Sequence, residues 1–484
     1  MAVQDKPFIA LRQKYLQFSY EKFSWEVLSN DLKISFNFKI PEDLAFFPSL
    51  IIKNIDPKRI KKIGKKTIDE FVFNLGLMEA ISYWKATCSP EILIKAGSLN
   101  DDQISWWKDL IINGMGQYFY ENQIDFRKKD FLKIKTSLSA KTLFSHQGSK
   151  IKSIKKEESF KPINLKLKER YLIPVGGGKD SIVTAELLKE AGKEINCFSL
   201  NPSKASKEIM KIAGCQDPII VIRKIDPKLF ELNRQGFLNG HTPFTAYLSF
   251  LSAFCATLFD YKLIAFSNEQ SANEGNVWYF GKEVNHQYSK SFKFEKRFRH
   301  YLQNHLVKGI EYFSFLRPLY ELQIAKIFAG HPKYFKSFLS CNQAIATKSG
   351  TKEVSDDWCG KCPKCLFVFV SLYPFLDKKE VIAIFKQDLF CKKDLLQVMK
   401  ELIGESDFKP FECIGTKKES ITAFYLSLKK ARQAGEIPFL LNYFKEKIST
   451  RYFNLESESR RILSSYSPKH NLPIELRKAL RDKD

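Results

Sequence analysis

The residues best equipped for chemistry follow a short apolar run. Tyr171-Leu172-Ile173-Pro174-Val175 leads straight into Gly176-Gly177-Gly178-Lys179-Asp180-Ser181. Glycines let the backbone turn sharply and bring its N–H groups against a ligand with no side chain in the way. The segment Ile182 to Ala191 has helical spacing, which predicts a helix starting at Asp180 or Ser181. The free N–H groups and dipole of such a helix would face the same point and suit phosphate oxygens. Lys179 adds a mobile positive charge, Ser181 a hydroxyl donor, and Asp180 a carboxylate for a divalent cation. The pattern is neither G-x-x-x-x-G-K-[ST] nor G-x-G-x-x-G. A glycine-rich turn that binds nothing is the plainer reading, and Lys-Asp-Ser at a strand end argues against it.

Two further constellations stand out. Cys359, Cys362 and Cys365 give two overlapping C-x2-C spacings, with Cys341 upstream. Four thiolates around a tetrahedral ion describe structural zinc. Redox chemistry, an iron–sulfur cluster or three crowded cysteines without metal are the alternatives. Residues 267–295 are the other constellation, dense in Glu269, Asn273, Glu274, Asn276, Glu283, Asn285, His286, Tyr288 and Lys290. Glu269, directly after a strand end, is placed for a cation or substrate contact. His286 lies inside this run, and His241 in Asn239-Gly240-His241-Thr242-Pro243 before a long apolar helix. His241 by itself reads more readily as a helix-cap or surface residue than as a catalyst.

The elements that must position these groups can be read from periodicity. Residues 16–40 predict a strand pair, because Leu32, Ile34, Phe36, Phe38 and Ile40 alternate with other residues after the turn Ser29-Asn30-Asp31. Helical spacing covers Ile68 to Lys85 and Asp101 to Tyr120, with a strand at Glu91 to Ala96. Residues 1–146 thus read as an N-terminal α+β domain. Residues 147–168, rich in Lys, Ser and Glu, read as a linker. From 169 to 370 short apolar runs (171–175, 195–200, 218–222, 262–266) alternate with helix-like segments (181–192, 204–213, 242–259). That rhythm predicts an α/β domain with a parallel sheet and ligands at the carboxyl ends of its strands. Residues 371–484 read as a helical C-terminal region, interrupted by Lys409-Pro410-Phe411-Glu412-Cys413.

The loop resembles the pyrophosphate loop S-G-G-x-D-S of the ATP pyrophosphatases that release AMP and diphosphate, with Gly176 in place of the first Ser. More broadly the chain resembles the MurL family, the ATP-dependent epimerases of UDP-N-acetylmuramoyl-L-alanyl-L-glutamate. The resemblance lies in PVGGGKDS, NGHTPFTAYLSFLSA, SNEQSANEGN, VNHQYSKSFKFE, LRPLYELQIAKIFA, SCN with WCGKCPKC, and KPFECIGT. It extends upstream to ISYWKATCSPEI and SWWKDLIINGMGQYFY, and so runs from about Ile81 to about Thr416. It implies a PP-loop ATP pyrophosphatase (adenine nucleotide alpha hydrolase-like) fold for the α/β domain. It also implies adenylation of the terminal L-Glu carboxylate by ATP, proton exchange at Cα, and hydrolysis to AMP and a D-Glu product for peptidoglycan. On this reading Gly176, Gly177, Gly178, Lys179 and Ser181 hold diphosphate, Asp180 holds Mg2+, and adenine lies near Leu200 and Asn201. His241 and His286 are the acid–base candidates, chosen for residue type and position. The loop and cysteines alone would also suit a 7-cyano-7-deazaguanine synthase-like or tRNA-modifying enzyme. A degenerate nucleotide-binding regulator is a third reading.

The 484 residues suffice for two or three domains, and 44% apolar content suits packed cores. The net charge of +24 favours polyanions in general, yet its lysines are scattered, so no nucleic-acid partner is expected. No signal peptide is visible, and the longest apolar stretch, Leu366 to Leu376, is too short to cross a bilayer. Ten cysteines, mostly isolated, do not read as a secreted disulfide framework, so a cytoplasmic location is expected. The resemblance to the MurL family also implies a functional pairing with a muramoyl ligase that adds L-Glu.

Overall fold

Strict alternation builds the first strand pair: Leu32, Ile34, Phe36, Phe38 and Ile40 are all buried on one face. In the computed structural model, Gln17–Leu28 and Asp31–Ile40 run antiparallel, with left-handed Ser29 at the turn and a bulge between Tyr20 and Lys22. The structure describes residues 7–41, 44–136, 160–345 and 354–481. The chain divides into two units. The first takes residues 1–168, 219–262 and 296–311, and the second 169–218, 263–295 and 312–484.

In the first unit the sheet runs Ile219–Lys224, Ser49–Ile52, Asp31–Ile40, Gln17–Leu28, Glu91–Ile94, Lys133–Thr136. The last two strands join parallel, and the others pair antiparallel. The expected parallel partner at 218–222 thus finds an antiparallel neighbour in Ser49–Ile52. Helix Lys65–Trp84 is buried along most of its length, as a helix apolar on nearly every side must be. Buried Glu79 on it is paired bidentately by Arg223, with Nη2–Oε1 and Nε–Oε2 both 2.8 Å. The helix expected over 101–120 is two, Asp101–Gly114 and Gly116–Glu121, joined at Met115. Two glycines flank the break and lower helix propensity there. A Cβ at Gly114 would stand 2.8 Å from Pro243 Cβ, so close packing requires glycine. Of the expected linker, 147–159 lie outside the described residues. Ile163–Asn164 pairs parallel with Val307–Lys308.

In the second unit, strand Lys168–Pro174 pairs parallel with Ile195–Leu200, as Tyr171 to Ile195 through Pro174 to Phe198. Tyr261–Phe266 and Glu311–Ser314 follow on the other edge. Helix Lys179–Glu190 covers the strands with Ile182, Val183, Leu187 and Leu188. Helix Glu321–Ala329 packs on it and on Pro363–Leu372, which in turn packs on Lys417–Gln433. Cys197 and Cys215 form a disulfide, a pairing that the reading of isolated thiols did not anticipate. Among the described residues no helix is long and apolar enough to cross a membrane.

Candidate active site

The glycine loop turns where the first strand of the second unit ends. Val175 N–H donates to Phe198 O (2.8 Å) and Ser199 Oγ to Val175 O (2.9 Å), which holds the two strand ends together. Gly177 adopts φ +106°, a conformation that a Cβ would strain, and its carbonyl accepts from Leu339 N–H at 2.8 Å. A Cβ there would lie 3.2 Å from Leu339 O and 3.4 Å from Ala205 Cβ. Gly178 is the N-cap of helix Lys179–Glu190, so the helix begins one residue earlier than expected. Ser181 Oγ donates back to Gly178 O at 3.0 Å. Asn201, at the end of the neighbouring strand, is exposed and left-handed (φ 47°).

Starting the helix at Lys179 changes the role of that lysine. It is 2% exposed and ion-paired to both Asp180 and Glu321, so the mobile charge expected from the sequence is a fixed one. Burial alone would lower its pKa, but the two carboxylates outweigh burial and raise it. Asp180, Glu269 and Glu321 bring carboxylate oxygens within 4.8 Å of one another. Burial alone would raise Asp180, yet Lys179 and Lys364 hold it below the ordinary carboxylate range. Glu269 is pushed up to about 7 by burial, which Lys290 only partly offsets. Both carboxylate oxygens of Glu269 are buried with no hydrogen-bond partner. Three converging hard oxygen donors, one of them unpartnered, fit a Mg2+-type ion.

The polar run 267–295 separates into scaffold and site. Asn276 Nδ2 donates to Pro410 O (2.7 Å), and its Oδ1 accepts from His286 N–H (2.9 Å). Asn285 Nδ2 donates to Ala272 O, Asn273 Oδ1 accepts from Phe292 N–H, and Glu274 accepts from Lys417 N–H and pairs with Lys409 at 3.0 Å. These side chains tie the run to itself and to the 409–417 segment. Arg317, buried, donates to the carbonyls of Glu269 and Lys290 and so fixes both residues. Glu269, His286 and Lys290 are titratable groups of the run whose surroundings shift their proton affinity. Burial, with the charges of Lys290, Lys364 and Lys409, lowers His286 to about 3, so its imidazole is neutral near pH 7. Lys290 is raised because Cys413, Glu269 and Asp180 outweigh the opposing effect of burial. His241 belongs to the first unit, just before helix Phe244–Phe259.

Residues 10–315 match the family model of the MurL N-terminal domain, and residues 337–456 that of the MurL C-terminal domain. The chain belongs to the MurL family. Three relatives carry the name UDP-N-acetyl-alpha-D-muramoyl-L-alanyl-L-glutamate epimerase. That of Xanthomonas oryzae is 34% identical over 358 residues, 74% of each chain. That of Micromonospora is 31% identical over 409 residues, 84% of this chain and 86% of its own. That of Salinispora tropica is 30% identical over 409 residues, 84% of each.

In this MurL-family chain the four predicted cysteines do converge. Their sulfurs lie within 4.8 Å of one another, with Cys341–Cys362 at 3.8 Å, Cys359–Cys365 at 3.6 Å and Cys362–Cys365 at 3.5 Å. Four sulfurs at about 2.3 Å from a tetrahedral zinc would stand roughly 3.8 Å apart, so the donor set fits that ion. Hydrogen bonds from the thiols of Cys362 and Cys365 push Cys341 well below the ordinary thiol range. The knuckle also reaches the MurL-family loop. Leu339 and Ser340, just before Cys341, pack on Gly177 and Gly178. Lys364, between Cys362 and Cys365, is 3.9 Å from Glu321 and donates to Cys413 O. Glu321, Arg317, Lys364 and Cys413 escaped the residue-by-residue reading. A lone acid in the apolar stretch LRPLYELQIAKIFA was the one available signal for Glu321.

Proposed function

We propose that this protein epimerises the terminal L-Glu of UDP-N-acetylmuramoyl-L-alanyl-L-glutamate to D-Glu, with ATP as co-substrate, for peptidoglycan synthesis. The observation that carries the reading is the agreement of three relatives that share this name, each aligned over most of its length. The buried Lys179–Asp180–Glu321 cluster at the end of a glycine loop supports the nucleotide part of it. In this reading the α/β portion is of the PP-loop ATP pyrophosphatase type, and the chain is an AMP-forming isomerase.

The chemistry follows from the acidity of Cα. A carboxylate's negative charge resists a carbanion next to it, whereas an acyl adenylate accepts the charge into its carbonyl. Gly176, Gly177, Gly178 and Ser181 would offer backbone and hydroxyl donors to the phosphates, and Lys179 would neutralise their charge. Asn201 would lie along the adenine. Asp180, with Glu269 and Glu321, would hold Mg2+, which supplies electrostatic stabilisation of the leaving diphosphate. Cys341, Cys359, Cys362 and Cys365 would hold structural zinc. Protons at Cα would move through side chains of the site, with His286 and Glu269 as candidates. The work would be cytoplasmic, on nucleotide-linked precursors delivered by a ligase that adds L-Glu to a muramoyl peptide.

The test is direct. The purified protein is incubated with ATP and UDP-N-acetylmuramoyl-L-alanyl-L-glutamate, and AMP, diphosphate and the configuration of Glu are measured. Stoichiometric AMP with D-Glu is expected. AMP without inversion, or inversion without ATP, would refute the reading.

A further inference from the structure

We infer that Arg317 is a positioning residue for this reaction: it closes a clamp on the backbone around Glu269 and so sets where that carboxylate stands in the acidic cluster at the loop. The inference rests on the function proposed above and deepens it. Arg317 is 1% exposed, and a buried guanidinium needs its donors and its charge answered by protein groups. Its Nη1 donates to Glu269 O, and its Nη2 to Lys290 O and, at 3.2 Å, to Ser314 Oγ. Its Nε stands 3.5 Å from Oε2 of the equally buried Glu295. The two carbonyls come from opposite ends of the run 267–295. A planar fork can hold them and a carboxylate in one fixed geometry, which the point charge of a lysine cannot.

The clamp grips Glu269 from both sides. Asn268 Nδ2 donates to the same Ser314 Oγ at 3.0 Å, and Gln270 N–H donates to Leu319 O at 2.9 Å. Both neighbours of Glu269 are thus tied to the 314–319 segment, and its own carbonyl is tied there through Arg317. Its carboxylate oxygens, also buried, have no hydrogen-bond partner among the described residues. Packing therefore fixes the backbone and leaves the charged end to meet something else. The C-terminal segment backs this clamp. Asn471 Nδ2 donates to Glu295 Oε1 at 2.8 Å, and Ser467 N–H to Pro318 O at 2.9 Å. Gln323, on the helix that carries Glu321, donates to Leu463 O and Ser465 O at 3.0 and 2.9 Å. One stretch past residue 456, where the match to the MurL C-terminal domain ends, thus steadies Arg317 and the Glu321 helix together.

The experiment is a double-mutant cycle with Arg317→Lys, Glu269→Gln and the two combined, each given ATP and the UDP-muramoyl dipeptide, with melting temperature read alongside. Arg317→Lys keeps the buried charge and loses the fork. It is expected to lower kcat at least about tenfold, with KM for the dipeptide within about threefold, the pattern of a misplaced group. The step it loses, AMP formation or inversion, should be the one that Glu269→Gln loses. Added to Glu269→Gln it should cost no more than about twofold further, because a residue that acts through Glu269 has nothing left to position. A merely structural role would multiply the two losses and follow the melting temperature, and that pattern would overturn the inference. So would near-normal turnover of Arg317→Lys. If that variant does not fold, Ser314→Ala, which removes the oxygen shared by Arg317 and Asn268, goes through the same cycle. A loss of at least about threefold that vanishes in the Glu269→Gln background supports the clamp, and full turnover or multiplied losses refute it. Full turnover of Glu269→Gln alone would also refute it and leave the proposed function standing. An unaltered protein that forms neither AMP nor D-Glu fails the proposed function itself, a failure visible before any variant is made.

Discussion

Glu321→Gln leaves Lys179 with one carboxylate where it had two. Lys179 and Glu321 are both sealed from water, so the loss of one charge is not repaired by solvent. Breaking a buried pair by removing one partner costs roughly 3–5 kcal/mol. Urea unfolding should show a loss of that order, and AMP formation should fall with it. Asp180 is the more exposed partner at 22%, so Asp180→Asn should cost less stability yet still lower AMP formation by at least about 10²-fold. Equal stability losses in the two variants would contradict this division. A different carboxylate sets a pH dependence. Burial raises Glu70 from 4.5 to about 7, with Asn74 Nδ2 donating to its Oε1 at 3.0 Å. A raised folded pKa means that its contribution is fully present below about 4.5 and is lost as the pH rises through about 7. Glu70→Gln should therefore gain about 1–3 kcal/mol over the unaltered protein at pH 8 and little at pH 4. Denaturation at both pH values checks it, and an equal difference at each would be the wrong result.

At the scale of elements, the glycine loop is the segment with least freedom to vary. Gly177 is left-handed and faces a backbone carbonyl, so Gly177→Ala meets both dihedral strain and the oxygen of Leu339. The cost is on the order of 1–3 kcal/mol. It should appear as a lowered melting temperature together with AMP formation reduced at least about tenfold, because the loop cannot move without dragging Leu339. Gly176, with open space around its Cβ direction and no positive φ, should tolerate alanine with far less change in melting temperature. Much of this element was legible beforehand, because strand, glycines and helix follow one another in sequence. The helix start at Lys179 was not legible. One residue of difference turns Lys179 from a solvent-facing charge into the buried partner of Glu321, which lies 142 positions away.

At the scale of the whole molecule, the sulfur cluster ties distant parts of the second unit together. Segments around residues 340 and 360 meet there, and they also brace Gly177, Gly178, Glu321 and Cys413. Metal analysis should find close to one zinc per chain. Cys362→Ser should lower zinc content, melting temperature and AMP formation together, since metal-binding energy becomes folding energy. Zinc-free protein of unchanged melting temperature would refute the structural role.

What the sequence determined by itself was local. Alternation over 32–40 made a strand pair, C-x2-C spacing collected three sulfurs, and the motifs of the chain pointed to the MurL family before any fold was known. Short-range periodicity carries that information, because it acts through neighbouring residues. Tertiary structure decided which polar groups remain available. Asn273, Glu274, Asn276 and Asn285 looked as functional as Glu269 in sequence, and packing uses them as scaffold while leaving the Glu269 carboxylate without a hydrogen-bond partner. It also brought Glu321 to Lys179 and Cys413 to His286. A side chain's partners, and hence its charge and its chemistry, depend on residues more than a hundred positions away, and no local pattern encodes them.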